Sequence, residues 1–292
     1  MVSVVVVNWN TKDKLRACLA SLQVQTQLPT QIIVVDNASS DGSAEMVKVD
    51  FPSVTLLAES TNHGYAKGNN LGLNLAKSEF IITLNPDTEL PTDNLEKATR
   101  SLSSHPECGA LSVKFIGPEG ETQSSVRGFP TILGIIGQLT HLDQKLPDSP
   151  FANYSLPNFD YKKSQFAPQP MGTYLLFRRS ILSKFTNPTQ PFDEDFPIFF
   201  NEVDLLYRMN CAGYKCWYDA DLSIFHHHGA STKQRRKSMI WESHLSLIRY
   251  FKKHLRGISR LALPLIAVAS ITAAFVRAKG YHAGFRPQHH NM

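Results

Sequence analysis

The residues best suited to chemistry stand at the ends of short apolar runs. Phe80-Ile81-Ile82-Thr83-Leu84 stops abruptly in Asn85-Pro86-Asp87. A carboxylate at a strand tip, with no basic residue between Phe80 and Leu90, suits a hard cation of the Mg2+ type, which takes one or two carboxylates and completes its shell with substrate phosphates. It also suits a plain turn. Pro86 stiffens the turn and removes a competing N–H. The placing recurs: Asn8 follows Val2–Val7, Asp36 follows Ile32–Val35, and Asn62 lies past Val54–Ala58. Asp36 could accept hydrogen bonds from a ribose or a base edge, or cap the turn before Ser43; position alone does not choose. In NHGYAKGNNLG, Gly64, Gly68 and Gly72 recur every four residues and make a smooth helical groove, for close packing or for a ligand near the helix start. Asn62, Asn69 and Asn70 crowd the same stretch with amides. Glu202 and Asp204 open a later helical segment. Asp204 stands four before Arg208, the spacing of an ion pair, and Glu202 points elsewhere and can serve as a general base. His226, His227 and His228 follow a strand, where alternate residues face opposite sides, so only an inward histidine can join one ion.

These residues need a scaffold that gathers strand ends. The β-branched run Val2–Val7 and the runs 32–35, 54–58 and 80–84 alternate with helical patterns over 13–23, 43–49 and 65–76, and Thr11 or Asp13 is placed to cap the first helix. Continuous apolar strands separated by helices predict a parallel α/β sheet, in which ligands bind beyond the carboxyl ends of the strands. Residues 147–170, rich in proline, read as a long loop. Strands are expected at Gly172–Arg179, Lys215–Tyr218 and Leu222–Phe225, with a helix over Phe200–Ala212. No GxxxxGK[ST] is present, and no GxGxxG follows the first strand, where Val7-Asn8-Trp9-Asn10 stands. P-loop and dinucleotide-binding proteins are therefore disfavoured.

The 292 residues suffice for one large core or two fused small ones. Four cysteines without a CxxC pair read as reduced thiols of a cytosolic protein. The net charge of +5 is unevenly spread: residues 233–292 hold twelve Lys/Arg and a single acid, Glu242, while the remainder is acidic. This basic tail points to an anionic surface, membrane lipid being one candidate and nucleic acid another. It begins with the run KQRRK (233–237). Ser243–Arg256 reads as an amphipathic helix with Leu245, Ile248, Phe251 and Leu255 on one side. Leu261–Val276 is apolar but shorter than the ~20 residues that span a bilayer, so an interfacial or re-entrant element is expected before a span, the alternative being a hydrophobic helix packed on the body or a second subunit. The start MVSVVVVNWN lacks a basic n-region and reads as a strand, not a signal peptide.

Taken together, VSVVVVNWNT (2–11), IIVVDNASSDGS (32–43), NHGYAKGNNLG (62–72), ITLNPDTEL (82–90), FDEDFPIFFNEVDLLYRMNCAGY (192–214) and HHHGAS (226–231) resemble, in order, the family 2 glycosyltransferases, particularly the bacterial rhamnosyltransferase-like branch. SSVRGFP (124–130) is similar to a segment of some rhamnosyltransferases. The resemblance implies a GT-A fold: a mostly parallel Rossmann-like sheet flanked by helices, here with a basic helical tail. Residues 1–100 would form the nucleotide-sugar half, 101–232 the acceptor and catalytic half of the same domain, and 233–292 the tail. It implies a nucleotide-diphosphate-sugar donor (a dTDP- or UDP-sugar), contacted by Asn8, Asp36, Asn62, Gly64, Lys67, Asn69, Asn85 and Asp87. It implies a divalent cation, Mg2+ or Mn2+, on Asp87 and His226, with Asn85 in place of the family's first acid. The catalytic base would be Glu202, with Asp204 as the competing candidate. Inverting transfer to a glycan or lipid-linked acceptor, at the cytoplasmic face of a membrane, follows as the expectation. A homo-oligomer is left open, and a nucleic-acid partner is not expected.

Overall fold

The computed structural model describes residues 1–185, 190–227 and 236–279. His228, Gly229 and residues 233–235 of the basic run lie outside the described residues. The chain begins with β1 (Val2–Asn8), α1 (Lys12–Gln23), β2 (Gln31–Asp36), α2 (Ser43–Asp50), β3 (Thr55–Ala58), α3 (Gly64–Leu75) and β4 (Phe80–Leu84). This is the alternation expected from the sequence, and each boundary falls within two residues of its expected place. Next come β5 (Thr88–Glu89), α4 (Asn94–Ser103), β6 (Cys108–Ile116), β7 (Val126–Arg127), α5 (Ile132–Thr140) and α6 (Leu142–Lys145). β8 (Gln165–Phe166), β9 (Gln169–Pro170), β10 (Tyr174–Arg178), α7 (Arg179–Leu182), α8 (Asn201–Cys211) and β11 (Lys215–His226) complete the body. α9 (Arg236–His254) and α10 (Leu263–Ala278) follow.

One sheet runs in the order β3-β2-β1-β4-β10-β6-β11-β5, with β8 on β11. β1–β4, β6 and β11 point the same way; β10, β5 and β8 run against them. The sheet is thus mostly parallel. Its central strands are buried on both faces, as their continuous apolar runs require. Val2, Val4 and Val6 of β1 pack on Leu15, Cys18, Leu19 and Leu22 of α1. Val5 and Val7 face the other side, with Ala66 and Leu73 of α3 and Leu205, Leu206 and Met209 of α8. Full burial of each such side chain contributes about 1.5–3 kcal/mol. The glycine periodicity of α3 serves this packing: a Cβ on Gly68 would lie 2.7 Å from Val7 Cγ1, and one on Gly72 would overlap Val5.

Three expectations need correction. The two strands expected at 215–218 and 222–225 are one, β11, whose register against β6 slips between Asp219 and Ser223; a bulge absorbs the polar interruption. Residues 147–170 are not an open loop. They hold a 3₁₀ turn at Pro150–Ala152, and β8 and β9 pair with β11 and β7. The tail helix α9 starts earlier than Ser243. It buries Tyr250 and Phe251 and packs with Leu247 and Leu255, whereas Leu245, expected on its apolar side, is 37% exposed. All four cysteines are free thiols, three of them buried.

Candidate active site

The site forms where β1, β2 and β4 end. Asn8, the last residue of β1, donates from Nδ2 to Asp36 Oδ1 at the end of β2 (2.7 Å), and Asp36 Oδ2 accepts the Ser39 N–H (2.9 Å). Both residues are buried. Asp36 therefore braces the β2–α2 turn, while Asp41 caps Ser43. Neighbouring loops hold strained backbone: Asn10 and Ala38 adopt φ of 51° and 58° without being glycine. Such conformations persist where the surroundings over-determine them, often at ligand sites. Thr11 stands at the α1 N-cap position, but its hydroxyl bonds Asn8 Oδ1 (2.6 Å) and not the helix.

α3 starts beside this point. Gly64 has φ of 84°, and its N–H is accepted by Asn62 Oδ1 (2.9 Å). Asn37 donates to the Gly64 carbonyl (3.0 Å), and its own Oδ1 is buried without a partner. Asn62 is exposed and Lys67 half-buried. Asn69 is fully buried and donates to the Tyr65 carbonyl (2.9 Å), whereas Asn70 ties α3 to the Phe192 carbonyl (2.8 Å).

The β4 tip is organised by two strands. Asn85 is held twice by Thr173, at the start of β10: its N–H to the Thr173 carbonyl (2.9 Å) and Nδ2 to Oγ1 (3.4 Å). Directly after Asp87, β5 pairs with the end of β11, with Thr88 opposite His226. This pairing sets His226 Nε2 3.7 Å from Asp87 Oδ1, both side chains buried. His227 turns to the other side, against Glu89 (2.7 Å).

Gln123 explains how His226 is oriented. Its Nε2 donates to the His226 carbonyl (2.9 Å), which leaves its Oε1 to accept from His226 Nδ1 (2.7 Å). The neutral ring then carries its proton on Nδ1 and turns the Nε2 lone pair towards Asp87. A carboxylate beside an imidazole lone pair fits a divalent cation that draws its remaining ligands from phosphate and water. Among the described residues no group of three His, Cys, Asp or Glu side chains could hold a metal unaided. Gln123 was not expected from the sequence; a lone glutamine in a segment without pattern carries no signal.

Glu202 lies across the site on the first turn of α8. Phe200, immediately before α8, has φ of 65°, a further strained non-glycine position. Burial pushes the Glu202 carboxyl up to about 7, opposed by hydrogen bonds from its own backbone and that of Gly172. A Cβ on Gly172 would sit 3.3 Å from Glu202 Cγ, so a larger residue there would press on the Glu202 side chain. The Tyr65 hydroxyl donates to the Gly172 carbonyl (3.0 Å). Burial first, then the charges of Glu202 and, more weakly, Asp87, raise the Tyr65 phenol far above its usual range. Gly172 against Glu202 and Thr173 against Asn85 thus join the two sides of the site through adjacent residues.

Asp204 has a different environment. Its buried carboxylate meets Arg208 Nε (2.8 Å), Lys253 Nζ (2.8 Å) and His254 Nε2 (2.7 Å). Burial alone would raise its pKa; the His254 hydrogen bond, then Arg208 and Lys253, hold it down at about 2. Asp204 anchors α9 to α8.

A mostly parallel sheet that gathers a buried Asp–His pair and a high-pKa carboxylate beyond its strand ends has the architecture of a GT-A glycosyltransferase. The chain belongs to glycosyl transferase family 2, whose profile matches residues 3–185. It is 26% identical over 260 residues to the N-acetylglucosaminyl-diphospho-decaprenol L-rhamnosyltransferase of Mycobacterium tuberculosis, covering 83% of this chain and 81% of that protein. Among solved structures it is similar in fold to the mannosyltransferase PcManGT from Pyrobaculum calidifontis in complex with GDP-Man and Mn2+ (TM-score 0.59, 19% identity, 98% of this chain and 76% of that one). It is also similar to S. aureus TarS (TM-score 0.55, 17% identity, 96% and 73%).

Proposed function

We propose that the protein is an inverting glycosyltransferase. It moves a sugar, rhamnose being the leading candidate, from a nucleotide-diphosphate donor to a hydroxyl of a lipid-linked or polysaccharide acceptor in cell-surface glycan synthesis. The observation that carries this reading is the half-buried Glu202, joined through Gly172-Thr173 to Asn85, two residues before the Asp87 of the Asp87–His226 pair. The rhamnosyltransferase relative, whose name specifies a diphospho-decaprenol acceptor, supports the choice of sugar and acceptor.

In this reading residues 1–100 hold the donor and residues 101–232 supply the acceptor side and the base. Asn8, Asp36, Asn62, Gly64, Lys67, Asn69 and Asn85 line or brace the donor cleft. A divalent cation, when bound by Asp87 and His226, would neutralise charge on the leaving diphosphate. Glu202 accepts the proton of the acceptor hydroxyl. That oxygen bonds to the anomeric carbon as the bond to the nucleoside diphosphate breaks on the opposite face, so configuration inverts. A carboxylate with a pKa near 7 is matched to this task at neutral pH, whereas Asp204, tied to Arg208, Lys253 and His254 and held at about 2, is not.

The tail is proposed to hold the enzyme at the inner face of the cell membrane. Gly257–Ala278 is a 22-residue apolar helical run whose 18-residue window reaches a mean hydropathy of 1.9, long enough by length and composition to cross a bilayer. Leu261, Leu265, Val268 and Phe275 are exposed along it, with Arg256, Arg260, Arg277 and Lys279 nearby, the pattern of a surface-lying element.

The test is a panel of dTDP-, UDP- and GDP-sugars offered with Mn2+ and a lipid-linked acceptor, the product's anomeric configuration being read by NMR. Transfer with inversion is expected. Donor binding without transfer or hydrolysis in every combination would leave a catalytically silent nucleotide-sugar-binding protein; retention of configuration would refute the single displacement.

A further inference from the structure

The proposed reaction requires that an acceptor reach Glu202, and connected elements lead outward from that residue. β7 pairs with β9, Arg127 opposite Gln169, and the ladder continues through the Met171 N–H to the Ser125 carbonyl (2.8 Å). The next residue, Gly172, rests against Glu202. Gln169 stands three residues before Gly172, so Arg127 is set back roughly 10 Å along the ladder, about one sugar unit plus part of a diphosphate.

Arg127 is half-buried, with its guanidinium over the Tyr154 ring at 5.6 Å. Among the described residues it has no carboxylate within ion-pair distance. A half-buried arginine stacked on an aromatic ring without a counter-ion is suited to a phosphate, which its planar fork can bind through two donors. Tyr154 senses both ends of this arrangement: burial raises its phenol, Arg127 lowers it, and Glu202 raises it again.

Immediately beyond Arg127 the chain enters a cleft of about 430 Å³, lined by Phe129, Ile132, Leu133, Tyr207, Tyr250 and Leu255 among others. Gly128 makes the turn possible: its N–H donates to the Tyr154 carbonyl (3.0 Å), and a Cβ there would collide with the Asn153 carbonyl. The walls are mostly apolar, with Thr131, Asn153 and His254 among them, and Ile132 and Ile135 of α5 share a cluster with Leu263 and Ile266 of α10. Leu133, Ile136 and Leu139 of α5, like Leu261 and Leu265 in the chain's last helical segment, expose apolar surface to solvent.

We propose that Arg127 binds the diphosphate of a polyprenyl-diphosphate-linked acceptor and that the cleft beyond it takes the first isoprenoid units of the chain. This rests on the acceptor reading given above. A cation followed at once by an apolar cleft, next to an apolar face, is complementary to a diphosphate followed by a hydrocarbon. A polysaccharide acceptor would use neither.

The experiment compares three synthetic acceptors bearing the same sugar: a polyprenyl diphosphate, a polyprenyl monophosphate and a simple alkyl glycoside. KM is measured for each with the full-length protein and with Arg127→Gln, Arg127→Lys and Leu133→Glu. Arg127→Gln should raise KM for the diphosphate acceptor about 10- to 100-fold and erase the wild-type preference over the alkyl glycoside. Arg127→Lys should recover part of it. Leu133 is exposed, so Leu133→Glu can fold normally; it should penalise both polyprenyl acceptors and spare the alkyl glycoside. The donor also carries a diphosphate, so the Kd for the nucleoside diphosphate is measured in parallel. A loss confined to that Kd assigns Arg127 to the donor and overturns the proposal. Equal use of all three acceptors by the wild type, unchanged in the variants, overturns it while leaving transferase activity standing. No transfer to any acceptor removes the transferase reading itself, and the proposal with it.

Discussion

Glu202 is costly to the fold in the ionised form that the proposed reaction needs. Its pKa in the folded protein, about 7, lies above the ordinary value of 4.5. The neutral form is the one the fold favours, so stability is fullest below pH 4.5 and declines as pH rises through 7. Two outcomes follow. kcat/KM should show an acid limb near pH 7, because the base works only when deprotonated. Glu202→Gln, which keeps the shape without the charge, should melt at a higher temperature than the wild type at about pH 8 and at nearly the same temperature at about pH 4, by calorimetry. The facing pair makes its own prediction. Gln123→Leu removes the acceptor for His226 Nδ1–H while leaving Asp87 and His226 in place, and should weaken Mn2+ binding by about 10- to 100-fold in titration calorimetry. At this scale the sequence was partly legible. Asp87, His226, Glu202 and Asp36 stand in recognisable strings, and the structure places the first two 3.7 Å apart. Gln123, Tyr65 and Gly172 were not legible as site residues, because their roles exist only through partners from about 30 to over 100 residues away.

Elements show the same division. The first four strands and three helices were legible because buried parallel strands are apolar at every position and helices keep their period. The slip in β11 was not, since a bulge is set by the neighbouring strand's register. Nor was the docking of α9. Asp204–Arg208 could be read from its spacing, but Lys253 and His254 meet Asp204 from 49 and 50 residues away. Because Asp204 is held at about 2, below its ordinary 3.8, its contribution is complete above about pH 4 and lost as pH falls towards 2. Asp204→Asn removes the buried carboxylate that meets Arg208, Lys253 and His254. It should cost about 3–5 kcal/mol in denaturant unfolding at neutral pH and release α9, seen as faster amide exchange in 244–254. Gly72→Ala meets Val5 and should cost about 1–3 kcal/mol by overpacking, without touching the site.

At the scale of the whole molecule, charge and apolar surface are both concentrated towards the last sixty residues. An acidic body carries a basic tail, and exposed apolar side chains recur along α10. Leu265→Glu combined with Val268→Glu, both at exposed positions, should abolish co-sedimentation with anionic liposomes while leaving the thermal midpoint unchanged. Raising salt should weaken wild-type binding only in part, since apolar burial is not screened. The charge asymmetry was plain in the sequence; that α9 is clamped to the body while α10 shows an apolar face required the structure.

The central claim is that Glu202 is the base of a glycosyl transfer whose donor is bound independently of it. The most direct test measures sugar transfer and nucleoside-diphosphate binding side by side in Glu202→Gln and wild-type protein. Transfer should fall by about 10²- to 10⁴-fold with donor affinity retained. Transfer at the wild-type rate by the Gln variant would contradict the account.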